Sequence, residues 1–522
     1  MPGELFRNSR VYWLAFVAYW GILLFGYDTG VAGGVVNSPF FQTEFGIRPL
    51  TGSVNQKKID DVSSNVVSVL QGGAFFGALG SAPISAKIGR KYTLLAFALI
   101  FVLGAVLQTV SGGSRGLGYI YGGRVVAGVG IGGISAVSPA YVSECSPKNV
   151  RGRITGMFQI MVAIGVMISY FINYGVSAHI HNGAKIWRIP FGFQLVPAGV
   201  MALLLLTTKE SPRWLASKGR TEEAVQTLAY LRKADPDSDE ITSEYAEIEA
   251  AIKEEREARR DLGIKEAFLG KGNWIRFLIA FFIFFLQQWC GQNSVSYYTP
   301  QIFESIGYSG QTNSLLASGV YGIVKVVATA LFVFFLVDSL GRKISLFISA
   351  IGMGVLFFIV GAILKTHPPD LTAASSTGST PTASKAMAAM IYIYVCFYSM
   401  GWGPLPWVYV SDIFPTRTRH YGLSVASASQ WLWNFVVSKV TPTIHTNLGY
   451  KMFLMFAALN IGAMATFSLL IPETKGRSLE EMDIIFGSIS AEKRRADIEK
   501  QEHELEHDKN ETTSGQSLDR KV

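Results

Sequence analysis

The sequence predicts an all-α membrane protein of twelve transmembrane helices, arranged as two halves of six helices joined by a cytoplasmic helical linker. Of its 522 residues, 49% are hydrophobic and only 16% are charged, whereas soluble domains average about 25% charged residues. Twelve windows of about 20 apolar residues, each long enough to cross a bilayer, form two sets of six. Between the sets, residues 209–272 are rich in Glu, Lys, Arg and Ala with helical spacing, which predicts a soluble linker.

The twelve windows, numbered here as spans 1 to 12, divide the chain into predicted domains. We expect an N-terminus at 1–10, one half at 11–208, the linker at 209–272, the second half at 273–471 and a charged tail at 472–522. The spans lie near 11–36, 62–85, 92–111, 117–143, 154–175, 190–208, 274–303, 313–337, 344–365, 386–411, 421–441 and 450–471.

Lysine and arginine gather in the loops that follow the even-numbered spans and in the linker. Because basic residues concentrate in cytoplasmic loops, both termini are predicted to be cytoplasmic. The formal charge of +8 therefore reflects membrane topology and does not indicate a nucleic-acid-binding protein. Cys145, Cys290 and Cys396 lie in or beside apolar segments and predict neither a disulfide framework nor a metal site. No nucleophile–base set or phosphate-binding loop is recognisable in the sequence, so an enzyme is not expected.

Short motifs in the first half recur in the second, each at the predicted cytoplasmic end of a span. Each copy lies roughly 250–270 residues after the first. Duplication of a membrane domain, with a binding site between the repeats, is a common plan of transporters. The recurring motifs are Ile88-Gly-Arg-Lys with Leu340-Gly-Arg-Lys, Tyr141-Val-Ser-Glu with Tyr409-Val-Ser-Asp, and Lys209-Glu-Ser-Pro-Arg with Pro472-Glu-Thr-Lys-Gly.

Span 7 begins as an apolar helix and turns polar halfway along. Uncharged amides at membrane depth are costly unless they face a water-filled cavity or another helix. Gly291 and Pro300 predict a broken helix, and amides suit a neutral ligand covered in hydroxyl groups. Tyr297 and Tyr298 are then candidates for a gate that closes over the ligand. The alternative is that the amides only hold helices together. The amides concerned are Gln287, Gln288, Gln292 and Asn293.

Asp28 lies inside span 1 and Arg124 lies inside span 4. An isolated ion at that depth is unfavourable, so each side chain is expected to pair with the other. A proton on the carboxylate weakens such a pair and allows a helix to move. The alternative is a permanent salt bridge that only fixes helix packing.

The motifs resemble those of the sugar porter family of the major facilitator superfamily, over roughly residues 11–485. The sequence is most similar to fungal monosaccharide transporters, on a branch that includes quinate permeases. The residues that carry the resemblance are Gly26-Tyr-Asp28, Gly89-Arg-Lys91, Arg124, Glu144 with Arg151-Gly-Arg153, Glu210-Ser-Pro-Arg-Trp214, Gln287-Gln288 with Asn293, Gly341-Arg-Lys343, Pro404-Leu-Pro-Trp407 and Pro472-Glu-Thr-Lys-Gly476.

The resemblance implies the major facilitator fold and proton-coupled uptake of a hexose or pentose across the plasma membrane by alternating access. It implies that Asp28 and Arg124 form the proton-coupling site, and that no cofactor is needed. A monomer in the lipid bilayer, with a small polyol substrate and protons as its partners, is expected. The implied substrate-binding residues are Gln159, Gln287, Gln288, Asn293, Trp407 and Gln430, with Trp431 and Asn434 as second-tier candidates.

One position departs from the family pattern. Where the family often has an asparagine in span 8, this chain reads Ser318-Gly-Val-Tyr-Gly-Ile-Val-Lys325. A lysine near the middle of a span is costly. One interpretation is a buried ion pair or a side chain that snorkels along the bundle. The other is that Lys325 faces the cavity and favours an anionic polyol such as quinate or a sugar acid.

The repeated loop residues are expected to form a charge network at the cytoplasmic ends of the spans. Such a network biases a two-state equilibrium and closes the inside while the outside is open. The alternative is that these charges only keep the loops in the cytosol. Passive carriage and a non-transporting sugar sensor remain alternatives to symport. The network residues are Arg90, Glu144, Arg151, Arg153, Glu210, Arg342, Asp412, Arg417, Arg419 and Glu473.

Overall fold

The computed structural model is all-α, as the sequence predicts, and no strand occurs among the residues it describes. Ten of the helical segments in this part of the chain are long and apolar enough to cross a membrane. The two remaining predicted spans are also helical: span 7 is broken, and span 11 is a more polar helix of 30 residues. The described residues are 7–49, 54–112, 116–260, 264–270, 272–308, 310–336, 341–369, 380–415, 418–475 and 479–487.

The first half consists of six spans in chain order. A short helix, Pro39–Glu44, follows span 1. Span 6 is made of two consecutive helices. The spans are Ser9–Val36, Gln56–Ile88, Arg90–Thr109, Gly116–Cys145, Lys148–His179, and Lys185–Phe193 with Leu195–Leu205.

The second half repeats this order with more interruptions. Spans 8 and 12 contain π-helical turns, at Phe332–Leu336 and Leu459–Met464. The spans are Asn273–Trp289 with Gln292–Tyr297 and Thr299–Ser305, then Gln311–Leu331, Arg342–Thr366, Thr382–Met400 with Leu405–Ile413, Arg419–Leu448, and Lys451–Ala458 with Ala465–Leu470.

The linker between the halves is helical and packs on the first half. Trp214 Nε1 donates to the carbonyl of Ala86 at 3.1 Å. Arg232 donates to the carbonyl of Cys145 at 3.0 Å and forms an ion pair with Glu244. The end of the bundle that carries these helices is called the linker side below. The linker helices are Pro212–Ser217, Thr221–Arg232, Asp239–Arg260 and Ile264–Leu269, and the tail contributes Leu479–Ile485.

Glycines allow the close packing of span 1 on span 5. A Cβ on Gly26 would overlap the carbonyl of Val162, and a Cβ on Gly165 would overlap the carbonyl of Leu23. Without side chains between them, membrane helices approach closely and gain dispersion contacts. Span 8 packs on span 5 and span 11 packs on span 2, so both pairs join the two halves.

Candidate functional site

Span 7 breaks at Gly291, where the sequence predicts it. This residue has φ +96°, and a Cβ there would lie 2.7 Å from the Phe357 ring. The left-handed conformation ends one helix and starts the next. The break frees the carbonyl of Cys290, which accepts hydrogen bonds from Tyr394 and Asn460, both at 3.0 Å. Spans 10 and 12 therefore satisfy the backbone that the broken helix leaves open.

The span 7 amides are joined in a chain of hydrogen bonds. Asn293 donates to Gln288, Gln288 donates to Gln287 at 3.2 Å, and Gln287 donates to the carbonyl of Trp402 at 2.7 Å. Gln287 and Gln288 are buried, whereas Asn293 is half-buried. Gln287 thus holds the break of span 10, while Asn293 ends the chain and is only partly buried. The helix-contact interpretation fits Gln287, and ligand binding by Asn293 stays a prediction.

Gln292, the fourth amide, points away from this chain. Its Nε2 donates to Tyr321 at 2.7 Å and to Ser296 at 2.8 Å, which links span 7 to span 8. Its buried Oε1 has no hydrogen-bond partner within the described part of the chain. The residue therefore fixes the position of span 8 beside the break.

The other predicted substrate-binding residues differ in accessibility. Gln159 and Gln430 are half-buried on spans 5 and 11. Trp407 is half-buried on the second helix of span 10, with its ring centroid 4.6 Å from that of Phe284. These three side chains are therefore only partly buried, and their contact with a ligand stays a prediction.

The two second-tier candidates on span 11 are buried. Trp431 lies edge-on to Phe25 of span 1, with ring centroids 5.3 Å apart, so it packs between the halves. Asn434 has a buried Oδ1 without a hydrogen-bond partner among the described residues. Asn434 therefore offers an unsatisfied acceptor, whereas Trp431 is occupied by helix packing.

Tyr297 and Tyr298 lie at a closed end of the bundle, opposite the linker side. Both are buried, and a Cβ on Gly33 of span 1 would overlap the carbonyl of Tyr297. Tyr298 donates to the carbonyl of Ser438 on span 11 at 2.7 Å. The side-chain amide of Gln71 on span 2 also contacts Tyr297. In the orientation that satisfies both its nitrogen and its oxygen, the oxygen accepts a hydrogen bond from the Tyr297 hydroxyl at 3.0 Å. Tyr297 and Tyr298 thus connect the two halves at this end, and their role as a gate stays a prediction.

Further contacts across the closed end join span 1 and span 5 to span 7. Tyr170 donates to the carbonyl of Ser296 at 2.5 Å. Asn37 donates to Glu304 at 3.2 Å, and Gln301 donates to the carbonyl of Gly33 at 3.2 Å. All of them must break before this end can open.

Asp28 and Arg124 form the ion pair that the sequence predicts. Nη1 of Arg124 lies 2.8 Å from Oδ1 of Asp28, and the side chains are 0% and 1% exposed. Arg124 Nε also donates to the carbonyl of Val66 at 2.9 Å. Oδ2 of Asp28 and Nη2 of Arg124 have no hydrogen-bond partner among the described residues. The pair is therefore incompletely satisfied, which makes it sensitive to a change of charge.

Arg124 also lies close enough to Tyr297 and Tyr298 to interact with both electrostatically. The guanidinium thus pairs with the carboxylate of span 1 and also lies near Tyr297 and Tyr298 of span 7. A charge on Asp28 is therefore weakly screened from these two tyrosines, because the region is buried.

The linker-side network of the first half has two parts. Arg90 binds Glu144 with two hydrogen bonds, of 2.8 and 2.9 Å. Glu210 instead accepts backbone N–H groups of Arg90 and Lys91 at 2.9 and 3.1 Å, at the first turn of span 3. Among the described residues, the partners of Glu210 are thus backbone groups, whereas a charge network predicts a guanidinium. Gly89, with φ +95° and no side chain, leaves room for the carboxylate at the helix N-terminus, where the helix dipole favours an anion.

The second half repeats this geometry. Glu473 accepts the backbone N–H groups of Arg342 and Lys343 at 2.9 and 3.0 Å. Arg342 lies 3.5 Å from Asp412. This pair corresponds to Arg90 and Glu144 in the first half, which lie 2.8 Å apart. The duplication seen in the sequence is therefore also a duplication of hydrogen bonds. The predicted network members Arg151, Arg153, Arg417 and Arg419 have side chains outside the described residues.

The pKa values of the two repeated carboxylates, Glu210 and Glu473, are shifted in opposite directions. Burial raises the pKa of Glu210 above its ordinary value, despite three backbone donors. Burial also raises the pKa of Glu473, but four backbone N–H groups lower it further, so that the net pKa is below its ordinary value. The ionised form of Glu473 therefore stabilises the fold above its ordinary pKa, and this contribution is lost as the pH falls through the lowered pKa.

We expect Glu473→Gln to lower the free energy of unfolding by about 1 kcal/mol, since solvent screens part of each charge-assisted hydrogen bond. Glu210→Gln should cost less, because the buried Glu210 gains less from ionisation. Melting temperatures of the two purified variants at neutral pH test this order. Equal losses, or a larger loss for Glu210→Gln, would contradict it.

Lys439 of span 11 is a polar residue that we did not single out in the sequence. Its Nζ donates to Ser64 at 3.1 Å and to Asn65, both on span 2. The contact joins the two halves. A lysine inside a predicted span was the available signal, as it was for Lys325.

A duplicated bundle of membrane helices, with a buried ion pair in the first half and a broken amide-bearing helix in the second, defines a membrane transporter and not an enzyme. The chain belongs to the sugar transporter family, whose model, described as "Sugar (and other) transporter", matches residues 14–486. This confirms the family resemblance and the fold class.

Relatives in fungi extend over nearly the whole chain. A quinate permease of Emericella nidulans is 38% identical over 491 residues, which cover 93% of this chain and 90% of that protein. A probable quinate permease of Neosartorya fischeri is 38% identical over 491 residues, covering 93% and 89%.

The solved structures that match include the E. coli xylose transporter XylE. Its partially occluded inward-open conformation is 26% identical, with a TM-score of 0.73, over 90% of this chain and 100% of that chain. The proton:xylose symporter XylE bound to 6-bromo-6-deoxy-D-glucose is 27% identical, also with a TM-score of 0.73, over 92% and 100%.

Proposed function

We propose that this protein takes up a small polyhydroxylated substrate together with protons, across the plasma membrane and by alternating access, with a monosaccharide as the first candidate. The observation that carries the proposal is the buried, incompletely satisfied pair of Asp28 and Arg124 beside the gate tyrosines. The similarity to the proton:xylose symporter XylE supports it.

The orientation that fits the basic loops puts the linker side in the cytosol, with both termini there. The closed end with Tyr297 and Tyr298 then faces outward, and the structure corresponds to an inward-facing state. The limits of the halves at 11–208 and 273–471 and a functional monomer belong to the same proposal.

The substrate would bind between the halves, where the accessible amides and the indole of Trp407 lie. Amides exchange hydrogen bonds with hydroxyl groups, and an indole face packs on the apolar face of a sugar ring. In this proposal the hydrogen bonds from Gln287 through Gln288 hold the side chain of Asn293 in its binding orientation before the substrate arrives. Gln159 and Gln430 would complete the site from spans 5 and 11.

The proposed cycle uses the connection between the pair and the gate. Protonation of Asp28 from outside releases Arg124, and the substrate binds while the outer end is open. The helices Gln292–Tyr297 and Thr299–Ser305 then pack on span 1 and close that end. Release of substrate and proton inside restores the pair of Asp28 and Arg124. The linker-side pairs Arg90–Glu144 and Arg342–Asp412 would exchange partners as the inner end closes.

A carboxylated polyol is the second candidate substrate. Two observations favour it: the fungal relatives are named quinate permeases, and Lys325 lies in a span without a carboxylate partner among the described residues. Uptake of radiolabelled glucose and xylose, each competed by excess quinate, separates the two classes in a strain without other sugar carriers. Absence of uptake of every polyol tested would refute transport and favour a sensor.

Gln288→Ala is expected to lower substrate affinity about tenfold, because it removes the acceptor that orients Asn293 and so leaves a polar group poorly satisfied. The apparent KM for uptake measures this effect. Gln292→Ala serves as the control, since its side chain bonds Tyr321 and Ser296 and not the amide chain. An unchanged KM in Gln288→Ala would remove the amide chain from the binding site.

A further inference from the structure

Lys325 lies deep within span 8. About 14 residues separate it from the start of the helix at Gln311 and about 11 from the end of the π-helical turn at Leu336, so either end is about 16–21 Å away. A lysine side chain is much shorter than this distance. Snorkelling to a membrane interface therefore does not explain this residue.

The face of span 8 that carries Lys325 points into the bundle. Four residues before it, Tyr321 is buried and accepts a hydrogen bond from Gln292 at 2.7 Å. Four residues after it, Thr329 donates to Ser399 of span 10 at 3.2 Å. Because residues four apart share a helix face, Lys325 is placed between the break of span 7 and span 10.

Within the described part of the chain, Lys325 has no anionic partner. Among the described residues, no carboxylate forms an ion pair with it, and the group with which it interacts electrostatically is the thiol of Cys290 at the break. The side chain is half-buried, so part of its surface stays accessible. Lys439, a lysine of span 11, is instead hydrogen-bonded to Ser64 and Asn65.

We infer that Lys325 is a specificity-determining residue that binds the carboxylate of a polyhydroxylated acid, so that the substrate supplies the missing counterion. The inference rests on the proposed transport function and names its substrate class. An ammonium at membrane depth without a counterion is unfavourable, and a carboxylate that arrives beside Cys290 relieves this cost. A neutral sugar at the same place leaves the ammonium unpaired. The amides and Trp407 then recognise the hydroxyl-bearing ring of either substrate.

The test compares Lys325→Gln with Lys439→Gln in purified protein reconstituted into liposomes. Glucose and glucuronate are a matched pair of probes, because they differ only in a CH2OH group and a carboxylate, and quinate is the cyclic probe. Uptake is measured for all three, and ligand-dependent melting temperature reports binding without transport. The melting temperature without ligand shows whether each variant is folded.

We expect the wild-type protein to take up the acids, and Lys325→Gln to lower acid uptake at least tenfold relative to neutral sugar, as loss of a charge-assisted hydrogen bond predicts. Lys439→Gln should leave the acid-to-neutral ratio unchanged. Wild-type uptake of glucose but not of either acid would overturn the inference while leaving transport intact. An unchanged ratio in folded Lys325→Gln would overturn it as well. If the wild-type protein neither binds nor takes up any of the three probes, the proposed transport function is refuted instead.

Discussion

Asp28→Asn should abolish accumulation of substrate against a gradient while leaving exchange of substrate across the membrane. One proton supplies roughly 2.3 kcal/mol per 100 mV and about 1.36 kcal/mol per pH unit. Together these support roughly 500-fold accumulation, which the variant should lose entirely. Asparagine still accepts a hydrogen bond from Arg124, but it cannot take up or release a proton. Steady-state accumulation in liposomes with an imposed pH gradient and potential measures the effect.

Two controls make this prediction specific. Asp28→Glu keeps a titratable group, and some accumulation should survive if the longer side chain still reaches Arg124. Glu304→Gln removes a carboxylate at the closed end, near Asn37, and should leave coupling intact although it weakens closure. Full accumulation by Asp28→Asn, together with substrate-induced alkalinisation of the medium, would show that the proton binds elsewhere. The alternative of a permanent salt bridge predicts instead that the variant loses stability but not coupling.

The fold and the broken helix could be predicted because they follow from local chemistry. Twenty apolar residues specify a membrane helix wherever they occur, and Gly291 needs no partner to adopt φ +96°. The pair of Asp28 and Arg124 was also predictable, since two opposite charges buried in one half have few other ways to be compensated.

The role of each polar residue was less predictable, because it depends on which neighbour the bundle supplies. Gln287 and Gln288 are adjacent in sequence, yet one binds the span 10 backbone and the other orients Asn293. Glu210 binds a helix N-terminus because Gly89 leaves room there, and the spacing of charges does not reveal that contact. Trp431 packs on Phe25 across the halves, a contact that exists only once the two bundles meet.

The closed outer end depends on a property that sequence patterns do not carry, namely the conformational state. Tyr170 bonds the backbone of Ser296, and Tyr298 bonds the backbone of Ser438, so both contacts require only a carbonyl group in the right place. Any residue offers a carbonyl group. A single sequence therefore does not indicate which carbonyl group each tyrosine hydroxyl contacts. An open state of the same chain would lack these hydrogen bonds.

Gly33→Ala is expected to prevent closure of the outer end and to lower uptake roughly 150-fold. A Cβ at this position would overlap the carbonyl oxygen of Tyr297, which is backbone and cannot rotate away. Overpacking of this kind costs about 3 kcal/mol at its upper range. The cost applies only to the closed state, so the equilibrium shifts toward the state open to the outside. Initial rates of uptake measure the loss.

Gly175→Ala is the matched control. Gly175 lies on span 5, near the same end of the bundle as Gly33, and a Cβ there meets no atom within 4 Å. It should transport at the wild-type rate. Gly33→Ala should still bind substrate from the outside. A second substitution, Asn37→Cys, should react faster with a membrane-impermeant thiol reagent when it is combined with Gly33→Ala than when it is made alone. Normal uptake by Gly33→Ala would mean that span 1 and the gate helix need not meet during transport. The proposed cycle would then lose its outer closing step, since Tyr297 meets span 1 at this glycine.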